Sequence, residues 1–249
     1  MGKIGALLIT FSAGLAFFLG ALISALFKDK KKISEFSIAM AFAVMMGVII
    51  LDLIPETKEL FGNMKTIYRL STTIGFTLLG IILLKVFDIF IPNHDHNKVP
   101  KNKHERHLFH IGLITVVALI IHNIVEGVSI YSSYLADNKM GILLSLGVML
   151  HNIPFGIQVT SNMAKDNVKT ILALLLLSCS TIMGALAIFV LNTNISSYVL
   201  GSLISITLGM MIYIAIFELL EEFVINIKSK WSILGCLLGL VIVTLAKYI

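Results

Sequence analysis

The feature that most constrains this chain is a succession of unbroken apolar runs. From residue 4 onward, stretches of about 20 apolar residues follow one another with short polar interruptions, and a bilayer core of about 30 Å takes about 20 helical residues to cross. Strands of an outer-membrane barrel are about 10 residues long and alternate in polarity, so that architecture is excluded. A charged share of 13% is about half that of a soluble domain. Together with a mean hydropathy of +0.97, it excludes a soluble enzyme and a disordered chain. The 249 residues leave room for about eight spans. The expected fold is an all-α polytopic membrane protein, a single transmembrane domain over 1–249, with helices near 4–27, 36–54, 70–92, 108–134, 140–163, 170–191, 197–223 and 232–248.

The one clearly polar connection is 93–107. Lys85 and Asp88 are spaced to pair at i,i+3 near the end of the third span. The seventh span runs into Glu218, Glu221 and Glu222, so its last turn is expected to leave the hydrocarbon. The first apolar run follows Lys3 and exceeds the 7–15 residues of a signal-peptide core, which reads as a retained helix. Cys179 and Cys236 both lie inside apolar runs, and no disulfide framework is implied.

The net charge of +5 does not point to nucleic acid, because the basic residues sit between spans, where insertion rules put them. With the N-terminus outside, twelve Lys and Arg fall on the inner side and six on the outer, with Lys85 left in a span. The expectation is a multi-pass protein of the plasma or inner membrane, both termini outside and 93–107 cytoplasmic.

Two internal repeats stand out. Met45–Glu56 resembles Met211–Glu222 at an offset of 166, both being apolar helices that end in acidic-Leu-apolar-x-Glu. His122-Asn123-Ile124-Val125-Glu126-Gly127 returns 29 residues later as His151-Asn152-Ile153-Pro154-Phe155-Gly156, and Ser129 and Gln158 keep that offset. The second pair falls on antiparallel helices, both near mid-span. Inverted repeats around a midplane site are a transporter architecture.

His122 and Glu126 are one turn apart and share a helix face, and His151 takes the equivalent place on the next helix. An ionisable group in a bilayer costs about 2.5 to over 10 kcal/mol, and a bound cation is the direct way to offset that. Two imidazoles and a carboxylate suit zinc and its first-row neighbours. Asn123 and Asn152 offer carbonyl oxygens as weaker ligands, or they simply bond across helices. Pro154 cannot donate its nitrogen and frees a carbonyl nearby. Met45 offers a thioether, although methionine in a helix is more often packing. Asp52 and Glu56 at one mouth, and Glu218, Glu221 and Glu222 at the other, either concentrate cations or are solvated helix ends. His94, His96, His104, His107 and His110 form a His-containing tract suited to weak metal binding. Gly235 and Gly239 form a small-xxx-small pair that implies close helix packing.

Together these motifs resemble the ZIP family of zinc and iron permeases, its small bacterial members above all, over essentially the whole chain. The resemblance rests on Asp52-Leu53-Ile54-Pro55-Glu56, on His122-Asn123 with Glu126-Gly127, and on His151-Asn152-Ile153-Pro154. It implies a three-plus-two-plus-three bundle, with helices one to three related to six to eight by inverted symmetry, and a metal path lined mainly by helices two, four, five and seven. It also implies His122, Glu126 and His151 as ligands of a first site, Asn123 and Asn152 at a second, and Met45 as a second-helix ligand. The family's bridging glutamate is replaced here by Phe155, and Thr181 aligns where a sixth-helix glutamate is usual. A single-site permease is the reading. No prosthetic group is expected; the cargo is Zn2+ first, with Fe2+, Mn2+ and Cd2+ also in range. The partners are the metal ion and the bilayer, without nucleic acid, and a homodimer is one arrangement open to it.

The runner-up is a transport-inactive relative that binds metal as a sensor or regulator, supported by Phe155. An intramembrane zinc hydrolase lacks an HExxH motif and a second central carboxylate free to act as base. The chain is therefore not expected to be an enzyme.

Overall fold

The structure is a computed structural model that describes residues 2–90, 103–163, 167–191 and 195–248, with backbone alone at 103–106. Among these residues eight helices are long and apolar enough to cross a membrane: α1 (Gly2–Ala25), α2 (Lys30–Leu60), α3 (Thr66–Phe90), α4 (Lys103–Ala136), α5 (Asn138–Met163), α6 (Asn167–Leu191), α7 (Ser197–Ile225) and α8 (Lys230–Tyr248). The expected all-helical membrane architecture is the one found.

Helix starts follow local chemistry. Asp29 caps α2, its carboxylate accepting from the backbone of Lys31 and Lys32 at 3.1 and 3.2 Å. Hydrogen bonds from Lys32 hold that carboxyl below the usual carboxylate range. This cap starts the helix at the lysine run, six residues before the expected 36. The far end is also longer than expected, because the helix continues through a π-helical turn at Ile49–Leu53 and on to Leu60. Helix α7 repeats the device with a π-helical turn at Ile214–Leu219, and Ser196 caps its start. Such turns insert one extra residue and re-aim the side chains beyond them. They contain Asp52 and Glu218, which are repeat mates; Asp52 lines a cavity and Glu218 is buried.

The bundle is inside-out relative to a water-soluble protein. Leu8, Leu22, Ile74, Ile82, Leu175 and Leu237 are exposed, while His122, Asn123, His151, Asn152, Gln158 and Thr181 are buried. Helices α2 and α7 are central, with 67% of their most apolar windows buried, against 11% for α3 and 22% for α8. Helix α1 packs on α5 and α6, α2 on α8, α3 on α7, and α4 on α5 and α6.

These contacts repeat with constant offsets. The Asn123 amide donates to the Leu177 carbonyl at 3.2 Å, and the Asn152 amide to the Ala13 carbonyl at 3.2 Å. A Cβ on Gly127 would overlap the Thr181 carbonyl, and one on Gly156 would overlap the Phe17 carbonyl. Both pairs relate α4 to α5 by 29 positions and α1 to α6 by 164. Likewise Gly80 meets the Ile206 carbonyl as Gly239 meets that of Met40, which relates α3 to α8 by 159 and α2 to α7 by 166. Gly235 and Gly239 serve close packing, as their spacing implied.

Two readings of the polar segment change. His94 and His96 lie outside the described residues, as does the side chain of His104. His107 and His110 belong to helix α4 rather than to a loop. The i,i+3 pair of Lys85 and Asp88 does not form either: Lys85 is exposed, and Asp88 is taken by His110 and Tyr213.

Candidate metal centre

The α4–α5 hairpin turns tightly at Asp137, whose carboxylate accepts from the Lys139 backbone at 2.9 Å. That brings the two halves of the 29-residue repeat side by side in the middle of the bundle. Gly127 and Gly156, one residue beyond Glu126 and Phe155, let α6 and α1 approach to backbone contact. Pro154 inside α5 leaves the Leu150 carbonyl without its helical donor.

His122 Nε2 and His151 Nε2 each lie 2.9 Å from the same oxygen, Glu126 Oε1. Both imidazoles are almost wholly buried. Yet neither Nε2 makes a hydrogen bond of acceptable direction, and Glu126 Oε2 has no partner either. Three buried ligand atoms thus crowd together without satisfied hydrogen bonds, which is the donor arrangement that a shared cation would satisfy. With zinc bonds of about 2.0–2.2 Å, tetrahedral ligand atoms lie about 3.3 Å apart. The two nitrogen–oxygen separations of 2.9 Å are a little shorter than that, and all three ligand atoms lie within 4.8 Å of one another.

The other expected site residues fall around this cluster. Asn123 and Asn152 spend their amide donors on α6 and α1, and both Oδ1 atoms are buried without a partner. Met45 is wholly buried in the main apolar core and is not among the residues lining the cavity beside the cluster. Phe155 is fully buried with its ring 6.4 Å from that of His151, edge to face. Thr181 is buried with its hydroxyl unpaired.

A cavity of about 430 Å³ reaches the cluster from the face that carries both chain ends, hereafter the terminal face. Its walls include Asp52, Glu56, Ser129, Ser133 and Lys247, and its floor is His122, Glu126 and His151. Asp52 and Glu56 thus line a path to the cluster.

Sequence reasoning missed a second convergence at the opposite face. Asp88, His110 and Glu218 come from α3, α4 and α7, and their ligand atoms lie within 4.8 Å of one another. His110 Nε2 is 2.6 Å from Asp88 Oδ1, and the Tyr213 hydroxyl donates to Asp88 Oδ2 at 2.9 Å. Next to it, His107 Nε2 is 3.5 Å from Glu222 Oε1. Glu218 and Glu222 are buried, so they are not solvated helix ends. The available signal was the 166-residue repeat, which matches Glu218 to Asp52.

The fold and site together define a polytopic helical membrane protein with a buried cluster of two histidines and a glutamate at the floor of a cavity. The family model described as ZIP zinc transporter matches residues 94–247, more than half of the chain, and the chain belongs to that family. It is 29% identical to the zinc transporter ZupT of Chlorobium chlorochromatii (strain CaD3), over 96% of this chain and 94% of that protein. It is 29% identical to the zinc transporter ZupT of Clostridium perfringens (strain 13 / Type A), over 97% and 94%. The corresponding protein of Stenotrophomonas maltophilia (strain R551-3) is 28% identical over 94% and 91%.

Proposed function

We propose that this protein carries zinc across a membrane, binding it between α4 and α5 at His122, Glu126 and His151. The observation that carries the reading is the convergence of two imidazole nitrogens on one carboxylate oxygen, each at 2.9 Å, at the floor of a cavity. The curated relatives' description as zinc transporters agrees with it. A carboxylate and two neutral imidazoles leave a dication one net positive charge in a low-dielectric interior, where water in a fourth position completes a tetrahedron. Fe2+, Mn2+ and Cd2+ fit the same donors less selectively.

The internal offsets support a mechanism of alternating access. Cavity residues Asp52, Glu56, Ser129, Ser133 and Lys247 correspond to Glu218, Glu222, Gln158, Asn162 and Asp88. The first set lines an open cavity, whereas Gln158, Asn162, Glu218 and Glu222 are buried. A bundle of two matched halves, one open and one closed, has a second state of similar energy in which the roles exchange. Asp88, His110 and Glu218 then line the release side. By the positive-inside count that side is the cytoplasm.

The test is zinc flux into proteoliposomes holding the full chain, with Glu126→Ala as control. Saturable flux that disappears in a folded Glu126→Ala variant supports the reading; unchanged flux in that variant overturns it. A second reading, a metal-binding regulator without transport, rests on Phe155. It is favoured if wild-type protein binds about one zinc yet carries none.

A further inference from the structure

At the terminal face the cavity carries a cation of its own. Lys247 Nζ lies 3.7 Å from Asp52 Oδ1, and both side chains are part-exposed to the same space. The end of α8 is seated there by two glycines. Val243 packs into the gap over Gly47 of α2, where a Cβ would overlap its methyl groups. The Ala246 carbonyl would stand 3.2 Å from a Cβ on Gly147, one turn before His151 on α5. The stretch of α8 that carries Lys247 is therefore seated by packing, and from it the ammonium reaches Asp52 in the cavity wall.

The internal offsets say what belongs at that position. Asp52 matches Glu218 at 166, and Lys247 matches Asp88 at 159, the offset fixed independently by Gly80 and Gly239. At the opposite face the matched pair is thus two carboxylates, brought together with His110. At the terminal face the same pair is one carboxylate and one ammonium. The chain has a positive charge in its open cavity where its own symmetry supplies a negative one.

We propose that Lys247 acts as a tethered competitor for the incoming metal: its ammonium occupies the cation position beside Asp52 and sets the zinc concentration at which the cavity fills. It touches none of the central ligands, so it acts on capture and leaves the later steps alone. This inference rests on the transport reading above. A unit charge about 8 Å from a dication in a water-filled cavity changes the ion's local occupancy about fivefold, and about 0.15 M salt screens much of that.

The experiment measures zinc uptake in proteoliposomes at low ionic strength for wild type, Lys247→Met, Lys247→Arg and Lys247→Glu. Lys247→Met keeps length and removes charge, and it should lower KM about threefold to fivefold with maximal flux unchanged. Lys247→Glu should lower KM further, Lys247→Arg should leave it at the wild-type value, and the differences should shrink in high salt. An unchanged KM in Lys247→Met overturns the proposal. So does a salt-insensitive shift, or the same shift in Lys247→Arg, because either makes packing and not charge the cause. If wild type carries no flux, the transport reading has failed by itself. The same variants are then titrated with zinc in nanodiscs, where tighter binding by Lys247→Met supports the tethered cation and equal affinity overturns it.

Discussion

Asn123 and Asn152 make one hydrogen bond twice: each amide donates at 3.2 Å to a backbone carbonyl, Leu177 for the first and Ala13 for the second. The donors tie the metal-bearing helices α4 and α5 to α6 and α1, and the acceptor oxygens stay buried and unpaired. Anchor and candidate ligand are thus two ends of one side chain. Asn152→Asp keeps an oxygen and removes the donor, whereas Asn152→Ala removes both. A cross-helix bond in a membrane contributes about 0.6 kcal/mol, up to about 1.7. Asn152→Ala should lose about that much stability in thermal unfolding, and Asn152→Asp more in metal-free buffer, because it buries a charge. Zinc affinity should fall in Asn152→Ala but hold in Asn152→Asp; equal affinity in the two would leave the asparagine as an anchor alone.

His122 and His151 must offer free lone pairs to a metal, so protons compete with zinc for the centre. Zinc binding should therefore weaken as pH falls and protons take the same lone pairs. His122→Ala and His151→Ala should each reduce affinity at least about tenfold and leave two ligands. Isothermal titration between pH 5.5 and 8 in nanodiscs reads this directly, including the protons released. A pH-independent affinity would move the centre away from these histidines.

The close contacts of Gly127 and Gly156 beside the centre are backbone against backbone, and a side chain there has nowhere to go. Gly127→Val presses on the Thr181 carbonyl and Gly156→Val on that of Phe17. Overpacking of this kind costs about 1–3 kcal/mol or more. Both variants should unfold at lower temperature than Gly75→Val, whose added Cβ meets nothing within 4 Å. Equal melting of all three, followed by light scattering or circular dichroism, would mean that the helices do not approach as described.

Much of this was legible because membrane helices announce themselves through length alone. The 29-residue repeat was equally plain, since its polar residues stand out against apolar neighbours. The matching of α1 to α6 and of α3 to α8 was implied by the family resemblance alone and was not visible in the residues, because it is written in carbonyls facing Gly127, Gly156, Gly80 and Gly239 and not in shared side chains. Asp88 and His110 were read locally, as an i,i+3 partner and a loop histidine. Their meeting with Glu218 depends on three helices distant in sequence and on a π-helical turn in α7. Helix ends erred for the same reason: Asp29 and the turn at Ile49–Leu53 extend α2 through residues whose polarity argued for a loop.

Phe155 fills the place beside His151 where the resemblance to ZIP permeases calls for a carboxylate, and its burial shows how completely the ring occupies it. Phe155→Glu would introduce a charge without a solvent path into that space, which costs several kcal/mol unless a cation neutralises it. The unpaired Oδ1 atoms of Asn123 and Asn152 stand ready as further donors. The variant should accordingly melt below wild type in metal-free buffer and be raised more than wild type by zinc, in proportion to the ligation gained. Its stoichiometry should rise from about one zinc toward two. Thermal unfolding with and without zinc, paired with equilibrium dialysis, separates the outcomes. A second equivalent means that the ring alone closes the second position. Destabilisation that zinc does not relieve means that the surrounding oxygens are turned away from it.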